Sequence, residues 1–339
     1  MECPSLELGA SLRFVYPTDL QEVDFQRDER NLPPGGFLET ATEDFRPKTQ
    51  ARNFLEAAKA VNEAGMDLLL VGDRHAVPIN AFSPIPLLAR LMSVTGTMPV
   101  GCLFLAPFYH PILLAEQLGT LSALSEGQLI AAFAIGDNEA QFTAFNMALK
   151  SRTVRTDEVV EIVRRLLKGE SVTFEGRYHR LDSVGIGLLP EQPIPIWIGG
   201  RRGAAVERAG RLGDAWISDT RCSDEELRVE LHRYREATKR SNRVPKAVLR
   251  RNILVAESDV QAQEIVEAIL ANSYRGLSPD RVLHGSARTV AERLLAYEEM
   301  GFAVTIVRHL AGDHSMMLNS VGYIGSGVMP LLKALRGTL

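Results

Sequence analysis

Residues 193–217 read PIPIWIGGRRGAAVERAGRLGDAWI, and this stretch decides the fold. An apolar, β-rich run at 194–198 breaks at Gly199 and Gly200, an amphipathic stretch opens just past Gly203, and a second apolar run follows at 214–217. Strand, tight turn, helix and strand in so short a span form a βαβ unit. Such a unit lays its two strands parallel and belongs to an α/β fold.

The same alternation extends in both directions. Apolar runs suited to strands fall at 12–16, 67–71, 100–105, 128–134, 194–198, 214–217, 249–256 and 303–308, with amphipathic stretches between them. Their tally and their nearly unbroken apolar character suit strands covered on both faces, so the expected fold is a (β/α)8 TIM barrel. Pro111 opens one of the helices, LLAEQLGTLSAL, and Gly127 stands just past its end. Two segments interrupt the repeat. The polar stretch between Pro17 and Pro47 is too long for a plain βα connection and is expected to be a lid or binding loop after the first strand. Before the fifth strand, SVTFEGRYHRLDSV is expected to form an inserted hairpin around Glu175 and Gly176. Neither segment looks like a linker, so 1–339 is expected to be one domain.

Composition narrows the function. With 339 residues and 45% hydrophobic content, the chain can bury a large core without disulfides. Its three cysteines, Cys3, Cys102 and Cys222, are odd in number and far apart, which fits neither a disulfide framework nor zinc ligands. No apolar run reaches the roughly 18 residues of a membrane span, and no basic-then-apolar leader opens the chain. A cytoplasmic protein without a membrane partner is expected. The net charge of -4 argues against a nucleic-acid surface. A small-molecule substrate is the remaining expectation.

In a parallel barrel, chemistry sits on the loops after the strand carboxyl ends. The second strand delivers Asp73, Arg74 and His75 there, and His75 is the candidate for proton transfer near neutral pH; the competing reading is a histidine that only bonds Asp73. After the fourth strand, Gly136 permits a sharp turn, Asp137 or Asn138 can cap the next helix, and Glu139 can pair with Arg152 or Arg155. Gly136 and Asp137 are also candidates for lining a cofactor. The loop after 194–198 carries the strongest signal. Gly199, Gly200 and Gly203 let the backbone approach a ligand, the helix amino terminus offers N–H groups, and Arg201 or Arg202 adds positive charge, together a phosphate site. A tight βα turn with two solvated arginines is the competing reading. No clustered Cys/His spacing supports a metal.

Five segments together resemble the luciferase-like monooxygenase family: AGMDLLLVGDRHA, HPILLAEQLGTLSALSEGQLIAAFAIGDNEAQF, RTDEVVEIVRRLLKGESVTFEGRYHRL, PIPIWIGGRRGAAVERAGRLGDAWI and GSARTVAERLLAYEEMG. The resemblance implies a barrel that binds reduced FMN or coenzyme F420 at the strand carboxyl ends, with the phosphate on the loop holding Gly199 and Gly200. It also implies a nonprolyl cis peptide after the third strand, near Leu103 and Phe104, under the central flavin ring. Arg74 stands where many members carry histidine, Ala134 replaces a usual glycine and Asp137 a common tryptophan. The expected activity is a monooxygenase that uses reduced FMN, supplied by a separate flavin reductase, and O2. The alternatives are an F420-dependent hydride-transfer enzyme and a noncatalytic flavin-binding protein. A homodimer or larger homo-oligomer is also implied.

Overall fold

The computed structural model describes residues 6–12, 46–76, 81–271, 277–310 and 314–336. The strands in chain order are β1 (Glu7–Leu12), β2 (Leu68–Gly72), β3 (Val100–Leu105), β4 (Leu129–Ala134), β5 (Val172–Glu175), β6 (Arg180–Val184), β7 (Ile196–Gly199), β8 (Ala215–Ile217), β9 (Ala247–Val255), β10 (Val282–Gly285) and β11 (Val304–His309). Apart from the β5-β6 hairpin, the main sheet follows the order β10-β9-β11-β1-β2-β3-β4-β7-β8, and β8 pairs again with β9. With a helix between most successive strands, this is the topology of a (β/α)8 barrel.

The described residues pack as two compact units, one spanning Met1–Leu70, Ile217–His232 and Lys246–Leu339, the other Val71–Trp216 and Arg233–Pro245. In the first, β1, β11, β9 and β10 pair side by side in parallel, with Glu7 opposite Val304, Val304 opposite Val248 and Val282 opposite Asn252. In the second, β3, β4 and β7 pair in parallel, Val100 opposite Leu129 and Ala131 opposite Ile196. Leu88, Leu91, Phe104, Leu114, Leu118 and Phe133, all fully buried, belong to its core.

Two expectations change. The first strand lies at Glu7–Leu12, five residues ahead of the expected 12–16; residues 13–45, which include most of the expected long loop, lie outside the described residues. A ninth strand of the main sheet, β10, was not expected: it extends along the carboxyl half of β9, from Val282 opposite Asn252 to Gly285 opposite Val255.

The inserted hairpin forms as the sequence indicates. Its turn is clamped by Glu158 on the helix Arg152–Leu167, whose carboxylate accepts the N–H groups of Arg177 at 2.6 Å, Tyr178 at 3.0 Å and His179 at 3.0 Å. Burial pushes this carboxyl up, but those donors and the His179 ring outweigh burial and hold it below the usual carboxylate range. Glu139 pairs with neither expected arginine. Arg155 instead donates to Ser151 Oγ at 3.2 Å and lies 4.1 Å over the Tyr178 ring.

Candidate active site

The second compact unit brings the carboxyl ends of β2, β3, β4 and β7 to its candidate site. β2 ends at Gly72, and the next side chain, Asp73, is wholly shielded from solvent. A buried carboxylate needs donors, and three converge on it. The Leu105 N–H donates at 2.9 Å, the Tyr109 hydroxyl at 3.0 Å, and His75 Nε2 lies 3.1 Å away. Leu105 ends β3 and Tyr109 follows the short 3-10 turn Ala106–Phe108, so one carboxylate ties the ends of two strands together. Burial and then the neighbouring Asp73 charge push the Tyr109 phenol far above its ordinary value, so it stays a donor at every physiological pH. Cys102 is fully buried and its thiol is raised by the same two causes, burial first, which makes it an unreactive core residue.

His75 is bonded to Asp73, as the competing reading has it, and stands at a strand end with 21% of its side chain exposed. Because the Asp73 carboxylate can only accept, Nε2 carries the hydrogen and Nδ1 is left as the acceptor-capable atom. Three rings hold the imidazole edge-on, Phe108 at 5.4 Å, Tyr109 at 5.4 Å and Phe145 at 5.8 Å. Arg74, which stands where many family members carry histidine, is half-buried.

The other candidates separate. Gly136 has φ +69°, the left-handed region a glycine favours, and a Cβ there would lie 3.2 Å from the Phe142 ring. Asp137 is exposed, and Asn138 is the residue that caps the helix Glu139–Ala144, accepting from Gln141 N at 3.2 Å. Leu103 is half-buried and approaches Gly199, at which a Cβ would be 3.8 Å from Leu103 Cδ1 and 3.9 Å from Ala134 Cβ. Phe104 is fully buried and packs on Tyr109 and Phe133 instead. The expected cis peptide near Leu103 and Phe104 is absent, since no cis bond occurs among the described residues; the chain leaves β3 directly into the trans turn Ala106–Phe108, where Pro107 sets the backbone.

The loop after β7 shows why its glycines are there. A Cβ on Gly200 would meet Ala205 O at 2.7 Å, and the Gly200 carbonyl accepts the Trp216 indole N–H at 2.8 Å, so this glycine serves the tight turn itself. Gly203 has φ +55°, with open space where a Cβ would point, and caps the helix Ala204–Leu212. That helix presents its amino terminus beside half-buried Arg201 and exposed Arg202. Positive charge, a helix amino terminus and an unobstructed Gly203 suit a phosphate group. Tyr109, Phe108 and Phe145 escaped the sequence reading as partners of His75 and Asp73; the FYHP run after the third strand was the available signal for the first two.

Among the described residues, no group of three or more histidine, cysteine, aspartate or glutamate side chains is placed to hold a metal ion, and no helix is long and apolar enough to cross a membrane.

The profile of the luciferase-like monooxygenases matches residues 34–281, and the chain belongs to that family. A curated relative, an F420-dependent glucose-6-phosphate dehydrogenase of Nakamurella multipartita, is 32% identical over 196 residues, covering 55% of this chain and 56% of the relative. The chain thus spans just over half the length of that relative. Among solved structures, a monooxygenase from Streptomyces bottropensis superposes with a TM-score of 0.78 at 20% identity, over 96% of this chain and 99% of that one. The oxygenating constituent of 3,6-diketocamphane monooxygenase from Pseudomonas putida, in complex with FMN, superposes with a TM-score of 0.73 at 16% identity, over 96% and 98% of the two chains. These two likenesses establish the fold.

Proposed function

We propose that this chain is an oxidoreductase that works with a phosphate-bearing deazaflavin or flavin on a small organic substrate, as one barrel domain, with His75 as its proton-transferring residue. The observation that carries the reading is the histidine fixed at the end of β2 by a fully buried carboxylate, an arrangement that fixes which nitrogen can take or give a proton. Arg201, Arg202 and the helix amino terminus after Gly203 would hold the phosphate, and Leu103 and Gly136 would border the ring system. When bound, such a cofactor supplies hydride chemistry or, for reduced FMN, oxygen activation. The protein's share is to anchor the phosphate, to shield the reacting atoms from water with Phe108 and Phe145, and to hold a proton at His75 Nδ1.

F420-dependent hydride transfer is favoured, because the curated relative that shares 32% of its residues over the matched region carries that dependence in its name. The second reading is the FMN-dependent monooxygenase with a separate reductase, favoured by the family's name and by the FMN held in a protein of the same fold. Mixing the purified chain with reduced F420 and, separately, with reduced FMN under air distinguishes them. Substrate-dependent oxidation of F420 without oxygen uptake supports the first, and oxygen uptake with FMN supports the second. Tight cofactor binding with no turnover on a broad panel would leave only a noncatalytic binder.

A further inference from the structure

We propose that the rings beside His75 form the seat of the substrate, and that the seat takes a compact molecule with a flat apolar body, an aryl or cycloalkyl alcohol or ketone, in place of a sugar phosphate. The inference rests on the redox reading above and specifies its substrate. Phe108 stands on the turn after β3, and Phe142 and Phe145 lie on and just past the helix after β4. The Phe108 ring is 4.8 Å from Phe142 and 4.9 Å from Phe145, and Phe145 in turn is 5.8 Å from His75. Phe142 is buried and serves as backing, whereas Phe145 keeps 43% of its surface exposed at a strand-end rim. Gly136, whose missing Cβ would be 3.2 Å from Phe142 and 3.8 Å from Phe108, keeps the floor between those rings clear.

An exposed phenyl group adjoining a fixed proton-transfer residue is what an apolar substrate body requires: the rings give it area to cover, and His75 meets its oxygen-bearing carbon. A sugar phosphate brings nearly two negative charges; Phe108, Tyr109, Phe142 and Phe145 carry no positive charge against which to desolvate them, and Arg74, half-buried next to His75, is already engaged. The one carboxylate bonded to the cluster, Asp73, would add repulsion. Arg201 and Arg202 sit on the β7 loop, where the cofactor phosphate is expected.

The test uses acetophenone and glucose 6-phosphate as probes on the full chain, by saturation-transfer NMR and calorimetric titration, with and without F420. Acetophenone is expected to bind more tightly than glucose 6-phosphate, with the Phe145→Ala variant weakening it by about tenfold and Phe145→Leu by less, while F420 affinity is unchanged in both. Acetophenone affinity unaffected by Phe145→Ala and Phe108→Ala, or glucose 6-phosphate bound more tightly, would overturn the seat. Failure of F420 and FMN to bind while acetophenone binding still depends on Phe145 would overturn the redox reading and leave the seat standing.

Discussion

Replacing Asp73 by asparagine keeps a carbonyl oxygen where Oδ2 meets all three donors and puts an NH2 group in place of Oδ1, which lies 3.1 Å from His75 Nε2. The wild-type carboxylate accepts from Leu105 N, Tyr109 Oη and His75 Nε2, at 2.9, 3.0 and 3.1 Å. Hydrogen bonds to a charged group contribute roughly 1.5–3 kcal/mol each, and an amide carbonyl retains part of that for one or two of the donors. The NH2 group that replaces Oδ1 faces the Nε2–H of His75, donor against donor. The net cost is about 3 kcal/mol, or roughly 4 °C in Tm for a chain of this size. The chemical effect is separate. An NH2 group at that position favours the tautomer with Nε2 as acceptor, which moves the hydrogen to Nδ1 and disables it as a base, so kcat falls by about 100-fold. Tyr109→Phe removes a single donor and leaves the carboxylate, so it costs about 1 kcal/mol and reduces kcat by no more than about tenfold. Differential scanning calorimetry and steady-state rates at saturating cofactor measure both quantities. An Asp73→Asn protein that melts within about 1 °C of wild type and turns over normally would refute the role assigned to this carboxylate.

Elsewhere, Asp224→Ala should destabilise the chain by about 3 kcal/mol or more in chemical denaturation, because Arg251, with 1% of its side chain exposed, loses its 2.9 Å ion pair and keeps only Tyr297; Arg251→Met should cost clearly less. Asp219 is pushed up by burial but held down more strongly by the bidentate Arg221 guanidinium, to about 2 from 3.8. Its folded value is depressed, so its contribution of about 2 kcal/mol is full above the unfolded value and disappears as pH falls through the folded one, and acid titrations of wild type and Asp219→Asn should diverge in that window. Leu113 and Leu124, 57% and 61% exposed, lie three helical turns apart on one face of the helix Pro111–Leu124. If that face joins two copies, sedimentation should show a dimer that Leu113→Asp with Leu124→Asp converts to a folded monomer, and a wild-type monomer would remove the expectation.

The fold was legible where the signal is local. The run at 100–105 is unbroken and apolar, and β3 occupies those residues. The first strand was misplaced because LRFVY at 12–16 is more apolar and aromatic than ELGASL at 7–12, and what selects the latter is tertiary: Leu68 fills the space where a Cβ on Gly9 would stand, 2.4 Å from its Cγ. β10 was missed because VLHG is too short to show a period and is defined by its partner, β9. At the site, a strand-end Asp73 with His75 two residues on could be read directly. That Tyr109, 36 residues away, would complete the carboxylate's shell could not, nor could the sequence tell that Gly200 is required by its own turn while Gly203 is the open one.

The central claim is that the loop after β7 holds the phosphate of a flavin-type cofactor while His75 serves the chemistry. It is tested most directly by fluorescence titration of F420 and FMN into wild type, Arg201→Ala with Arg202→Ala, and His75→Asn, followed by turnover of each. The account predicts cofactor affinity reduced by about tenfold or more in the double arginine variant and unchanged in His75→Asn, with turnover in His75→Asn down by about 100-fold. Undiminished affinity in the arginine variant together with undiminished turnover in His75→Asn would contradict it.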